Sequence, residues 1–249
     1  MANGIPQLET RDWHFKNKAQ VKGHFIREPS RYVLEEYFNQ LPLLNASVAV
    51  NSNLNFESLG TNAADADITF AALVGAVELE TAGAHNDQVI VTPHLDAKQT
   101  AWAGVKWGTE NQVIWETAIK TDSAVLTTLL WAGLKLTNTP TIATDNDQLF
   151  FRYSTDDSNT NWQCVSSIGG TDTTFDSGVS VTGATVYMFR IEIDSDRKAS
   201  FFINNKFITA TTALTNDVDF IPYVGIQALA GAARFMYLSY EKISRYIYE

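Results

Sequence analysis

Cysteine is almost absent from this sequence: Cys164 is the only one among 249 residues, so no intrachain disulfide can form. No stretch approaches the roughly 18 consecutive apolar residues of a membrane-spanning helix. The first fifteen residues lack the basic start and the apolar run of a secretory signal. We therefore expect a protein made in a cytoplasm, neither exported by the standard route nor membrane-bound, whose fold depends on its core.

Positive charge is also scarce. Lys and Arg number 18 against 28 Asp and Glu, so the formal net charge is −10. This sign excludes a general nucleic-acid binder, which needs cations to displace phosphate counterions. Residues 11–31 nevertheless hold six cations and two acids, net +4, which leaves −14 for the remainder. Such a basic segment fits docking on an acidic neighbour, including a second copy, although a solvated surface loop is equally consistent with it.

Motifs for common chemistries are missing. The sequence has no Gly-x-Ser-x-Gly nucleophile elbow and no glycine-rich phosphate loop before a helix. The spacing of His85 and His94 matches no metal signature. The acidic loops at 144–147 and 155–159 contain oxygen ligands suited to calcium, but they lack an EF-hand pattern and favour plain hairpin loops. We expect no catalytic residue, no cofactor and no metal, and hence no enzyme.

One acidic pair needs separate consideration. Glu192 and Asp194 alternate on a predicted strand, which places them on one face roughly 6.5–7 Å apart. Glycosidases use two carboxylates at about this spacing. However, Asp194 begins a predicted hairpin turn, where Asp is expected for backbone reasons, and Ile191 and Ile193 are expected to face the core. The pattern favours a surface strand and turn over a glycosidase site.

Alternation of apolar and polar residues is the dominant pattern. It runs through Phe189, Ile191 and Ile193 and resumes at Phe201 and Ile203 after an Asp-rich turn. From residue 46 onward, similar segments follow one another between clusters of Gly, Asn, Asp and Thr. Many antiparallel strands without interleaved helices indicate a two-sheet sandwich or jelly roll.

Tryptophans divide into two groups. Trp115, Trp131 and Trp162 fall within predicted strands and are expected in the core, as is Cys164. Trp102 and Trp107 lie in a Gly-containing connection, where an aromatic ring can stack on a sugar. These two are our candidate ligand-binding residues.

The N-terminal part differs from the rest of the chain. Ser30 can cap a helix over about residues 30–41, which Pro42 would end. Its apolar face would pack on the protein's own sheet or, as an arm, on a neighbouring subunit. We therefore predict an attachment segment at residues 1–47 and a β-sandwich at residues 48–249.

Short motifs between residues 161 and 243 resemble the concanavalin-like (laminin-G-like) jelly roll. They include Asn161-Trp-Gln-Cys-Val, Val186-Tyr-Met-Phe-Arg-Ile-Glu-Ile-Asp and Pro222-Tyr-Val-Gly-Ile-Gln. The resemblance implies an all-β, antiparallel concanavalin-like sandwich. It specifies a fold and not a function, because sugar-binding domains, glycosidases and structural modules share these motifs.

Three longer segments, at residues 86–96, 100–113 and 214–229, resemble tailed-phage virion proteins of the marine and cyanobacterial type. This resemblance implies a virion structural protein, assembled in a host cytoplasm. We favour a capsid decoration protein on the capsid surface, bound to the major capsid protein or to other virion subunits and trimeric on capsid three-fold positions. The alternative is a carbohydrate-binding module of a phage fibre or tail. The predicted partner-binding residues are Arg11, Trp13, Phe15, Lys18, Lys22, Phe25 and Arg27.

Overall fold

The computed structural model describes residues 31–44, 55–71, 75–94, 104–135 and 145–247. These ranges contain seventeen strands and two short 3-10 turns, which confirms the predicted all-β class. No helix in the ranges just given is long and apolar enough to span a membrane. The strands are β1 Arg31–Glu36, β2 Leu43–Leu44, β3 Phe56–Leu59, β4 Ile68–Ala71, β5 Ala76–Glu80, β6 Gln88–Pro93, β7 Trp107–Gly108, β8 Ile114–Thr121, β9 Thr128–Lys135, β10 Gln148–Ser154, β11 Asn161–Ile168, β12 Thr171–Ser180, β13 Val186–Ile193, β14 Lys198–Ile203, β15 Lys206–Ala213, β16 Asp219–Ala228 and β17 Phe235–Tyr246.

The strands form two sheets. The eight-stranded sheet has the order β15-β14-β13-β8-β17-β5-β4, and β1 also pairs with β17. The nine-stranded sheet has the order β12-β11-β10-β9-β16-β6-β3-β2, and β7 pairs with β16. The two-residue strand β2 runs parallel to β3, whereas the other described pairs are antiparallel. Strands adjacent in the sheet are often distant in sequence, as in a jelly roll.

The main core lies between the two sheets and confirms the predicted alternation. Phe189, Ile191 and Ile193 of β13 and Phe201 of β14 are at most 2% exposed. Phe151 of the nine-stranded sheet stacks on Phe189, with ring centroids 4.4 Å apart. Burial of each such side chain contributes on the order of 1.5–3 kcal/mol, so the aromatic contacts between β10, β13 and β14 join the sheets.

The strand tryptophans are buried, as predicted. Trp115 and Trp162 belong to the main core, where Trp162 packs edge-on against Phe189 at 4.8 Å. Trp131 instead belongs to a second buried cluster with Ile90, Leu129, Phe150, Val165 and Tyr223. Cys164 is buried in the main core, as predicted for a small apolar side chain.

The predicted helix over residues 30–41 is wrong, because Arg31–Glu36 is strand β1. It pairs antiparallel with the end of β17, from Tyr246 to Glu241. Tyr32 and Leu34 alternate toward the core, and Arg31 donates from Nη2 to the Gln112 carbonyl at 2.7 Å. The backbone hydrogen bonds to β17 and this side-chain packing outweigh a modest helix preference, since tertiary context routinely overrides propensity.

The predicted domain boundary at residue 47 also needs correction. β1 belongs to the eight-stranded sheet and β2 to the nine-stranded sheet, so residues 31–44 are part of the sandwich. Residues 1–30 and 45–47 of the predicted attachment segment lie outside the described residues.

Candidate functional site

The acidic pair of β13 has structural partners. Oδ1 of Asp194 accepts the backbone N–H groups of Asp196 at 2.8 Å and Lys198 at 2.9 Å. Oε1 of Glu192 lies 3.1 Å from Nε of Arg190 on the outer face of the eight-stranded sheet. Asp194 therefore holds the hairpin turn and Glu192 joins a surface ion pair, which agrees with the strand-and-turn interpretation.

The candidate aromatic pair is not assembled on the described surface. Trp107 is 1% exposed and packs beside Tyr32, with ring centroids 6.4 Å apart. Its side chain therefore belongs to the core and offers no face to a ligand arriving from solvent. Trp102 lies outside the described residues. So do the predicted partner-binding residues Arg11, Trp13, Phe15, Lys18, Lys22, Phe25 and Arg27.

Ionisable side chains are also buried on the outer face of the nine-stranded sheet. Nδ1 of His94 lies 2.7 Å from Oε2 of Glu57. Nζ of Lys135 lies 3.7 Å from Asp145 and 4.5 Å from the ring centroid of Tyr223. Burial lowers the pKa of Lys135, and the charge of Asp145 partly offsets this effect. These side chains are at most 9% exposed, so the geometry indicates buried pairs and not an open site.

An open polar pocket lies where the chain passes from one sheet to the other. The cavity has a volume of about 240 Å³ and occupies the connection between β1 and β2, beside the start of β3. Of the residues that the structure describes, four with polar side chains and three with apolar ones line it. They are Glu36, Asn39, Gln40 and Asn55, with Phe38, Pro42 and Phe56.

Phe38 gives this connection its shape. Its backbone φ is +52°, in the left-handed region that bulky residues rarely occupy. The ring is 3% exposed and packs edge-on against Phe56 at 5.2 Å. Holding a non-glycine residue in this conformation costs on the order of 1–3 kcal/mol, and such outliers cluster at functional sites. Burial of the Phe38 ring offsets that cost and fixes the turn.

The Glu36 carboxylate links the two walls of the pocket. Oε1 accepts the backbone N–H of Phe38 at 2.7 Å, and Oε2 accepts Nδ2 of Asn55 at 3.0 Å. These bonds orient the carboxylate, while Asn39, Gln40 and Asn55 remain exposed. A carboxylate oxygen has further lone pairs, so Glu36 can accept additional hydrogen bonds from a ligand.

This arrangement suits a ligand with many hydroxyl groups. Amide side chains donate and accept hydrogen bonds, and a carboxylate accepts strong ones. Phe38, Pro42 and Phe56 are buried and close the base of the pocket. The sequence contained no motif for this pocket, because its walls come from two separate segments of the chain, residues 36–42 and 55–56. The one local signal was the polar Asn39-Gln40 pair before Pro42, which we interpreted as the end of a helix.

Among the described residues, no group of three His, Cys, Asp or Glu side chains is placed to hold a metal ion. Asp147 accepts the backbone N–H of Gly169 at 3.3 Å, and Arg152 pairs with Asp157. Parts of both acidic loops are thus engaged in hairpin contacts.

No family model matches the chain, and no curated protein sequence matches it. Solved structures with the same fold do match. A Bacteroides ovatus mixed linkage glucan GH16 protein in complex with product is 8% identical, with a TM-score of 0.59, and the match covers 84% of this chain and 99% of the other. A Bacillus licheniformis beta-glucanase is 9% identical, with a TM-score of 0.54 and coverage of 85% and 97%. A Shewanella oneidensis protein of unknown function is 14% identical, with a TM-score of 0.55 and coverage of 88% and 89%.

These likenesses confirm the concanavalin-like jelly-roll sandwich. At such low identity they show the fold alone. They also correct one expectation. We expected that the protein is not an enzyme, and this is contradicted because glycan-cleaving enzymes share its fold over more than four-fifths of the chain.

Proposed function

We propose that the protein binds a glycan in the pocket around Glu36. The observation that carries this proposal is the pocket's composition: one oriented carboxylate and three exposed amide side chains line it. A sugar ring presents several hydroxyl groups, which can donate to the carboxylate and exchange hydrogen bonds with the amides.

The carboxylate in the pocket favours neutral over acidic sugars as the ligand. Among the described residues, Glu36 is the one ionisable side chain that lines the pocket. An acidic sugar would place a second negative charge beside it, which disfavours binding. A neutral oligosaccharide avoids this repulsion and can donate hydroxyl hydrogen bonds to Oε1 and Oε2. The fold-level analogy with a beta-glucanase and a mixed linkage glucan protein supports a neutral glycan.

The test begins with a glycan array that includes neutral and acidic oligosaccharides. The best neutral ligand is then titrated against the unaltered protein, Glu36→Gln and Glu35→Gln. Gln keeps the shape of the side chain but removes the charge, so we expect affinity to fall about tenfold, or about 1.4 kcal/mol, in Glu36→Gln. Glu35 is the adjacent residue on the other face of β1, where it accepts the Tyr37 hydroxyl at 2.8 Å.

Glu35→Gln is therefore a matched control with the same change of charge, and we expect it to bind normally. An array without hits, or equal losses in both variants, would contradict the proposal. The same samples are assayed for newly released reducing ends. Their appearance, with loss in Glu36→Gln, would extend the role of the pocket from binding to cleavage.

A virion role remains a second proposal, supported by the sequence resemblance. The segments at residues 86–96 and 214–229 include β6 and β16, neighbouring strands of the nine-stranded sheet. We propose that the protein is a capsid decoration protein that contacts the major capsid protein as a homotrimer. Quantitative mass spectrometry of purified particles tests this: high copy number in the head supports it, and absence from particles contradicts it. A glycan-binding part of a fibre or tail would instead appear in the tail fraction.

A further inference from the structure

A second cavity opens between the free edges of the two sheets. β12 and β15 are the last strands of their sheets, and the cavity lies between them and their neighbours β11 and β14. Its volume is about 300 Å³. None of its lining residues belongs to the Glu36 pocket.

Two irregularities in β15 build one wall of this cavity. The register between β14 and β15 shifts between Phe201 and Phe202 and again between Lys198 and Ser200, and each shift inserts one extra residue into β15. As a result, four consecutive residues, 209–212, all line the cavity. A regular strand would turn every second side chain away. β-bulges re-aim side chains in this way and are frequent near binding sites.

The described residues of the lining are all uncharged. Cys164, at 3% exposed, and Phe201, at 1%, close its base, and Phe175, which also lines it, is 47% exposed. Ser166, Thr173 and Thr209 contribute hydroxyl groups. Burial raises the pKa of the Cys164 thiol to about 12, so this side chain also stays neutral at physiological pH.

We propose that this cavity binds an uncharged, mainly apolar small molecule, held by contacts with Ile168 and Phe175 and by one hydrogen bond to a lining hydroxyl. A charged ligand would lose hydration without gaining a counter-charge, which is costly. An apolar cavity of about 150 Å³ accepts benzene, so about 300 Å³ gives room for a molecule with two rings.

The experiment titrates the full chain with N-phenyl-1-naphthylamine, a neutral two-ring probe whose fluorescence rises in apolar surroundings. We expect saturable binding that weakens at least tenfold in Ala210→Trp, because the indole fills the cavity. Ala213→Trp is the matched control on the same strand, outside the lining, and should bind normally. Glu36→Gln should also bind normally, which separates this site from the glycan pocket. Unsaturable binding, or equal binding by the two Trp variants, overturns the proposal.

A second measurement uses the unaltered chain and so does not depend on whether a variant folds. A ligand that binds the folded state alone stabilises it, so saturating probe should raise the urea midpoint of the unaltered chain, followed by circular dichroism. An unchanged midpoint at saturating probe overturns the proposal.

Discussion

A buried carboxyl group in β17 makes the stability of this protein depend on pH. Glu241 is 1% exposed, and its Oε2 accepts Nε1–H of Trp115 at 2.8 Å. Among the described residues, Oε1 has no hydrogen-bond partner and no cation pairs with the group. Burial raises the pKa of Glu241 to about 8, and the Trp115 hydrogen bond partly offsets this rise.

The direction of the effect follows from proton linkage. In the unfolded chain this carboxyl titrates near its ordinary pKa of 4.5, whereas the folded protein keeps its proton up to about pH 8. Between these values the folded state binds more protons, so the free energy of unfolding falls as pH rises. At about 1.4 kcal/mol per pKa unit, the loss is about 3 kcal/mol at pH 7 and approaches 5 kcal/mol above the folded pKa.

Glu241→Gln removes this titration and retains an acceptor for Trp115. We expect the variant and the unaltered protein to have similar free energies of unfolding at about pH 4. The variant should become more stable by about 3 kcal/mol at pH 7. Urea denaturation followed by tryptophan fluorescence at several pH values measures the difference, and exposed Glu35→Gln is the control. Parallel pH profiles for Glu241→Gln and the unaltered protein would refute the reasoning.

Two glycines in the centre of the nine-stranded sheet should be intolerant of a side chain. A Cβ at Gly225 would overlap the Trp131 ring and lie 2.9 Å from the Val89 carbonyl, so Gly225→Ala should lower the free energy of unfolding by about 1–3 kcal/mol. A Cβ at Gly133 would overlap the Leu149 carbonyl and Phe150, and Gly133→Ala should cost at least as much because backbone must move. Gly83 has open space around it and serves as the control in urea denaturation; equal stability of all three variants would contradict the packing argument.

The local sequence pattern was sufficient to predict the buried side of a strand where that strand has one face in the core. The alternation of Phe189, Ile191 and Ile193 identified the buried side correctly, because neighbouring side chains of a strand point to opposite faces. The tight turn at Asp194–Lys198 was equally predictable from the sequence, since its hydrogen bonds connect residues close in sequence.

Arg31–Glu36 shows why the remaining parts of the fold could not be predicted from the sequence. Its apolar residues fit a helical face as well as a strand, and the partner that decides between them is the end of β17, about 200 residues away. Trp107 is a similar case, because its Gly-containing surroundings suggested a loop while pairing of β7 with β16 buries it. The Glu36 pocket depends on the same long-range pairing, together with the left-handed turn at Phe38.

The amino-acid sequence by itself determined that this protein is an all-β sandwich with a tryptophan-rich interior and no disulfide, because those properties follow from residue types and from a two-residue period. Only the tertiary structure decided where open sites lie. The uncharged cavity forms between the edges of the two sheets, and the carboxylate-amide pocket follows β1, which pairs with the distant end of β17; no local pattern specifies these strand pairings and registers.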